Sequence, residues 1–282
     1  GSAELEEEAN SWALNSSTSL RWWDGRVSDV GSSFLFSAYL ADKLGGPAAI
    51  RQMVSNPSLG GNGIENLARN PGPGSTPVGT SMSEIFANFS AALTLDSAQG
   101  AFGFSEIDLV DDCSTGGFCK GSISAENDQW SEAWQSSGHS VEGWGLKSFR
   151  FTQGDGYPLS IMVQPDRFGF EGAIISKESS SGTWTMEKLR IDSTDGRGTG
   201  LVHGFGNTTS EVLLLVWYNS LVDDCDFDFA NCGVLSGGNY PSGSFTVSAS
   251  QVTSPAELSI DSIVGFDRDG DFLDDSVEIG MS

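Results

Sequence analysis

The feature that most constrains this chain is a change of hydrophobic period part-way along it. Over roughly the first hundred residues apolar side chains recur at helical spacing. From Leu146 onward they fall in short alternating runs punctuated by turn residues. One chain therefore has to join a helical region to a β-region. The helical signals start with an acidic, helix-prone segment, Ala3 to Trp12. Ser32 to Leu44 follows (SSFLFSAYLADKL), apolar on almost every side, which predicts a buried helix. Gly45-Gly46 supply its stop and Pro47 opens the next helix, PAAIRQMVS. A short helix is expected at Ile64 to Arg69. Another is expected at about Ser83 to Leu95, behind the capping box Ser81-Met82-Ser83-Glu84.

In the second half, strands are expected at Leu146–Thr152, Leu159–Gln164, Gly172–Ser176, Thr183–Ile191, Gly200–Gly204, Glu211–Tyr218 and Gly243–Val252. Seven short strands over about a hundred residues point to a β-sandwich or jelly roll. The fold class is thus α+β: an N-terminal helical subdomain over 1–103, an acidic Gly/Ser-rich linker over 104–143, an antiparallel jelly-roll-like sandwich over 144–255, and a tail over 256–282.

Charge narrows the partners. Fourteen Lys and Arg face 38 Asp and Glu, a formal net charge of -24. Such a chain repels nucleic acid and anionic lipid and attracts cations. Seventeen Phe and eight Trp argue that the acidity does not mean disorder. No apolar run is long enough to cross a membrane, so no membrane insertion is expected. No signal-type stretch opens the sequence; Gly1-Ser2 is read either as an expression scar or as a cut from a longer precursor.

The four cysteines fall in two local pairs, Cys113 with Cys119 and Cys225 with Cys232. Of three connectivities, two local staples is the simplest, which implies an oxidising compartment and an extracellular or cell-surface location; four free thiols is the alternative. With two histidines, His139 and His203, and no CxxC spacing, a Cys/His zinc site is not expected.

The most specific chemistry sits near the C-terminus, in Asp267-Arg268-Asp269-Gly270-Asp271-Phe272-Leu273-Asp274-Asp275-Ser276-Val277-Glu278. Aspartates at positions 1, 3 and 5, a further Asp at 9 and a Glu at 12 can direct six or more oxygens at one centre, the preference of Ca2+. The candidate ligands are Asp267, Asp269, Asp271, Asp275 and Glu278; the alternative is a solvated acidic tail. The run resembles the loops of bacterial thrombospondin type 3-like repeats and, more distantly, EF-hands, with Phe272 where such loops carry Gly. Asp111-Asp112-Cys113 and Asp223-Asp224-Cys225, with Asp226 and Asp228, are further candidate cation clips or solvated loops.

Residues 28–54, SDVGSSFLFSAYLADKLGGPAAIRQMV, resemble the segment that follows the zinc site in gluzincin metalloproteases, including the hyicolysin type. Gly31, Phe34, Leu35, Tyr39, Leu40, Leu44, Gly45 and Gly46 carry the likeness. Gly200 to Gly206 followed by Glu211 to Val216 resembles accessory sandwiches of proteases of the immune inhibitor A type. The resemblance implies the C-terminal part of a secreted zinc protease, with the catalytic domain of the same precursor as its partner and zinc held in that upstream part. The chain itself has no HExxH, so no catalytic residue is assigned to it, and Ser28 stands where many gluzincin aminopeptidases place a transition-state Tyr. The other reading is a stand-alone, calcium-stabilised extracellular module that binds glycan or protein. Trp130, Trp134 and Trp144 with Asp128, Glu132 and Glu142 meet the minimum kit of a glycosidase cleft, as any acidic Trp-containing chain does by accident. No Walker loop, Rossmann fingerprint or nucleophile elbow occurs.

Overall fold

The computed structural model describes residues 2–20, 25–55, 60–97, 100–125, 134–219, 242–252, 260–266 and 276–281. It divides into two compact units, Gly1–Gln251 and Val252–Ser282.

The first unit opens with five helices: α1 (Ser2–Ala13), α2 (Val27–Leu44), α3 (Pro47–Ser55), α4 (Gly60–Arg69) and α5 (Met82–Leu95). α2 begins five residues before the expected start. There the Asp29 carboxylate accepts the backbone N–H of Arg26 at 2.9 Å, supplying a cap that apolar periodicity cannot signal. It stops at Gly45, whose φ of 116° an L side chain resists. α5 starts as its capping box predicts, with the Ser81 hydroxyl accepting the Glu84 N–H and the Glu84 carboxylate accepting the N–H groups of Ser81 and Thr80.

A short parallel pair follows, β1 (Leu109–Val110) with β2 (Phe118–Cys119), linked by the 3-10 turn Cys113–Thr115. Two five-stranded sheets then face each other. The first has the order β4 (Trp134–Glu142), β12 (Ser242–Gln251), β6 (Leu159–Pro165), β10 (Gly198–Val202), β9 (Arg190–Ile191). The second has the order β3 (Ser124–Ala125), β5 (Leu146–Thr152), β11 (Thr209–Tyr218), β7 (Phe170–Glu178), β8 (Trp184–Lys188). Apart from the edge strand β3, which runs parallel to β5, neighbours within both sheets are antiparallel. The chain changes sheet at β4–β5, β5–β6, β6–β7, β8–β9, β10–β11 and β11–β12, so that β4-β12-β6-β10 opposes β5-β11-β7-β8. That is the strand order of a jelly roll.

The helices cover the outer face of the second sheet, which makes three layers. Alternate residues of β11 serve two cores. Val212, Leu214 and Val216 point into the sandwich with Phe149, Phe151, Ile161 and Val247. Leu213, Leu215 and Trp217 point to the helical side with Phe86, Phe89 and Trp12. Double burial explains why this strand reads as an unbroken apolar run instead of an alternating one.

The stretch 104–143, expected as a linker, contains β1 to β4. Its longest strand, β4 (WQSSGHSVE), has no apolar alternation because it is an edge strand, held through its ladder with β12. In the second unit β13 (Ile260–Phe266) pairs antiparallel with β14 (Ser276–Met281), from Ile260↔Met281 to Phe266↔Ser276.

Candidate functional site

Two strongly tied junctions turn out to be structural. Arg26 reaches across to the β4–β5 turn and donates to both oxygens of Glu142, at 3.1 and 3.2 Å, while its Nε donates to Asp29 at 3.1 Å. Glu142 also accepts the Ser19 N–H at 2.7 Å. Glu142 is therefore a clasp between the helices and the sandwich. Trp144 is buried against Phe86, and Trp134 packs edge-on to Phe149 and Phe151, so these residues form no sugar cleft. Asp128, Trp130 and Glu132 lie outside the described residues.

The second junction is the disulfide Cys113–Cys119. Its loop is held by α1: Glu6 accepts the Gly117 N–H, and Asn10 accepts the Cys119 N–H while donating to the Gly117 carbonyl. The adjoining carboxylates are engaged locally, Asp111 by Lys120 at 3.2 Å and Asp112 by the Ser114 N–H at 3.0 Å. Among the described residues no three His, Cys, Asp or Glu side chains converge as a metal site. Cys225, Cys232, Asp223, Asp224, Asp226 and Asp228 lie outside the described residues. So do Asp267, Asp269, Asp271 and Asp275, which belong to the connection between the paired strand ends Phe266 and Ser276; Glu278 falls within β14, opposite Val264.

What the fold does build is a cleft of about 750 Å³ on the flank where β8 edges one sheet and β10, covered only in part by the two-residue edge strand β9, ends the other. Its origin is local. Between β8 and β9 the chain crosses sheets at Leu189, which is buried in the sandwich core. Gly172 and Gly198 leave room for it: a Cβ on either would come within 2.7 and 3.0 Å of Leu189 Cδ1. Beyond this plug the filling runs out. In β8 (WTMEK) Trp184 and Met186 pack toward the helical core, so the alternate residues Thr185 and Glu187 take the side facing the other sheet. In β10 the corresponding places are Gly198, Gly200 and Val202, and Gly200 lets the Ile174 side chain approach to where a Cβ would sit only 2.2 Å away. The apolar core therefore ends at Ile174, Leu189 and Val202, and a polar groove takes over.

Ser160, Ser176, Thr185, Glu187, Arg190, Thr199 and His203 line the groove. By strand alternation Ser176, Thr185 and Glu187 take the side between the sheets, while Thr199, its ladder partner Arg190, and Ser160 take the opposite face of the first sheet. Arg190 has no ion pair or hydrogen-bonding partner for its side chain among the described residues, unlike Arg197, which engages Asp195 and Gln164. The outer edge of β10 is paired with β9 only at Gly198 and Thr199. From Gly200 to Val202 no described strand pairs with it, and Leu201 is 47% exposed. Nothing in the periodicity of the sequence marked this flank. The signal that could have found it is β8 read in register: a strand whose inward positions are Thr and Glu opens a sandwich where its neighbours close it.

No protein-family profile matches the chain, and no curated protein matches it. Solved structures align to about half of it. The pre-peptidase C-terminal domain of a Bacillus anthracis collagenase is 10% identical with a TM-score of 0.25, covering 45% of this chain and 90% of that one. PliG of Salmonella Typhimurium, a periplasmic inhibitor of g-type lysozyme, is 12% identical with a TM-score of 0.27, covering 46% and 97%. CorA of Methylomicrobium album BG8, a surface-associated copper-binding protein, is 9% identical with a TM-score of 0.27, covering 46% and 98%. At such TM-scores none of these likenesses bears on function. Among the described residues no helix is long and apolar enough to cross a membrane.

Proposed function

We propose that this chain is an extracellular binding module whose jelly roll takes its ligand, a glycan or a protein segment, on the β8–β10 flank. The observation that carries the reading is the reversed polarity of β8. Sandwich strands normally turn apolar residues inward, and here Thr185 and Glu187 face a groove large enough for a ligand segment. The helical layer supports the same reading. Among the described residues its buried apolar side chains, Trp12, Leu35, Phe86 and Phe89 among them, pack on each other and on the outer face of the second sheet. The disulfide supports a location in an oxidising compartment. The test is binding to glycan and peptide arrays by wild type and Thr185→Trp, which places a large ring at an exposed groove position. Binding by wild type, lost in the variant at unchanged Tm, supports the module. Equal binding by both proteins, or none by wild type, sinks it.

A second reading, the C-terminal region of a secreted zinc metalloprotease buttressing an upstream zinc site, rests on the likeness of residues 28–54 to the gluzincin segment. An HExxH encoded upstream of Gly1 would establish it, with zinc in that part and the upstream catalytic domain as partner. A start codon and signal peptide directly upstream would remove it.

In either setting Asp267, Asp269, Asp271, Asp275 and Glu278 are proposed to hold one Ca2+ between β13 and β14. Titration with Ca2+ by calorimetry should give one site that Asp269→Asn and Asp271→Asn together abolish. No heat on titration refutes it.

A further inference from the structure

We infer that the β8–β10 groove binds an extended peptide bearing an acidic side chain, added as a strand to the free edge of β10, with Arg190 receiving the carboxylate. This deepens the binding-module reading and rests on it.

Three observations converge. The first is the edge itself. β10 is paired on one side with β6 over its whole length, but on the other side only Gly198 and Thr199 meet β9. The stretch Gly200-Leu201-Val202 leaves ladder positions open, and it lacks the devices that blunt such edges: there is no Pro, no Lys and no inward charge, and Leu201 is exposed. The second is space. The cleft lies beside this edge, and its far wall is also an edge strand, since among the described strands β8 pairs only with β7. A chain lying between them meets backbone groups on β10 and the hydroxyls of Thr185 and Ser176 across the groove.

The third is charge. The whole chain has 38 acidic residues against 14 basic ones, so a basic side chain has acceptors in abundance. Arg190 nonetheless stands exposed beside β10, opposite Thr199, with no side-chain partner among the described residues, where it can meet the side chains that a strand added to β10 turns to that face. Its forked guanidinium matches a carboxylate bidentately. Glu187, which lines the same groove opposite Ile174 of β7, would face a donor on the same peptide. Sugars recognised by jelly rolls usually stack on aromatic faces, and among the described residues the lining of this groove contains no Trp, Tyr or Phe. That favours a peptide over a glycan.

The experiment is selection from a random heptapeptide display library on the intact protein, followed by synthesis of the selected peptides with and without N-methylation of alternate backbone amides. The expected result is enrichment of peptides with an Asp or Glu. Their affinity should fall about tenfold or more on N-methylation, and by a similar factor against Arg190→Ala. Amides of Gly200 to Val202 should gain protection from hydrogen exchange when the peptide is bound. Arg190 is exposed and its side chain has no hydrogen bond or ion pair among the described residues, so the variant should keep the wild-type Tm. Absence of enrichment overturns the proposal, as does enrichment of peptides indifferent both to N-methylation and to Arg190→Ala. Oligosaccharide binding that Thr185→Trp abolishes, with no peptide selected, overturns the peptide proposal while sparing the module. Failure of both ligand classes sinks both.

Discussion

Replacing Gly31 by Ala tests the packing at the heart of the helical layer. A Cβ built on Gly31 would lie 1.9 Å from the Glu8 carbonyl oxygen, 2.4 Å from its carbon and 2.8 Å from the Ala9 Cα. All three are backbone atoms of α1, so no side chain can swing aside. A carbon–oxygen contact becomes tolerable near ~3.3 Å, so α1 and α2 must part by roughly 1.4 Å along this line. A gap of that size removes more than about half of the dispersion energy of the atoms facing it. Those atoms belong to Ala9, Trp12 and Ala13, all fully buried. Against this stands the better helix propensity of Ala, about 1 kcal/mol, while overpacking of a tight contact costs about 1–3 kcal/mol before the loosened core is added. The expected net loss is about 2–3 kcal/mol, which for a unit of this size lowers Tm by roughly 5–10 °C. Urea and thermal unfolding followed by circular dichroism measure it. Gly61→Ala is the control: its Cβ meets only Met82 side-chain atoms, at 3.7 and 3.9 Å, and the substitution should be neutral or slightly stabilising. If Gly31→Ala matched or exceeded the wild-type Tm, the close approach of the two helices would be refuted. Gly31 is also one of the residues that carry the gluzincin likeness, and in this fold its place is set by the close backbone contact with α1.

Three further perturbations have directions set by the structure. Arg26→Met leaves Asp29, whose side chain is 1% exposed, without its guanidinium, and should cost about 3 kcal/mol; Arg26→Lys should recover only part of it because the fork that spans Glu142 and Asp29 is lost. Breaking the disulfide with Cys113→Ser and Cys119→Ser, at a sequence separation of 6, should cost about 2 kcal/mol. Hydrogen exchange should quicken first at Gly117 and Cys119, where α1 grips the loop. His139 packs on Phe149 and Phe245, and burial, then the charge of Lys147, push its pKa below 6.5. The unfolded chain therefore takes up this proton first. The stability His139 contributes is complete above pH 6.5 and is lost as pH falls from there toward the lower folded value, so His139→Gln should flatten Tm against pH in that window. An unchanged slope would show that the ring is not desolvated.

The legible parts of the fold were those where burial has one side. β6 alternates cleanly, with Leu159, Ile161 and Val163 toward the sandwich and Ser160, Met162 and Gln164 less buried between them, and its expected limits fall within one residue of those observed. The capping box of α5 and the glycine stop of α2 are short-range chemistry and were equally readable. What escaped was held by distant partners. β4 owes its place to β12, more than a hundred residues later, and its own sequence is that of a polar loop. The start of α2 depends on a carboxylate that also serves Arg26, whose other end grips Glu142. No window of local periodicity contains both partners of such ties.

The groove escaped for a related reason, and the reason says something about its use. The sequence readings singled out acidic clusters, because a carboxylate run carries its own chemistry in a short stretch. A groove between sheets is assembled from the wrong-facing residues of β8, the missing side chains of β10 and the crossing at Leu189, three features that mean little apart. Each also runs against stability: polar residues take core-facing positions, glycines thin a strand, and an edge is left unpaired. Elsewhere the sandwich is filled by Phe149, Phe151, Phe205, Leu214 and Val247, all fully buried. A fold that packs this tightly over most of its length and departs from the pattern on one flank has its departures in register with one another. Thr185 stands across from Ser176, Glu187 from Ile174, and Ile174 from the gap at Gly200. Such local conflicts gather where a site is built, and their coincidence on the β8–β10 flank is the physical ground for placing ligand recognition there and not at the tightly knotted junctions of Glu142 and Cys113.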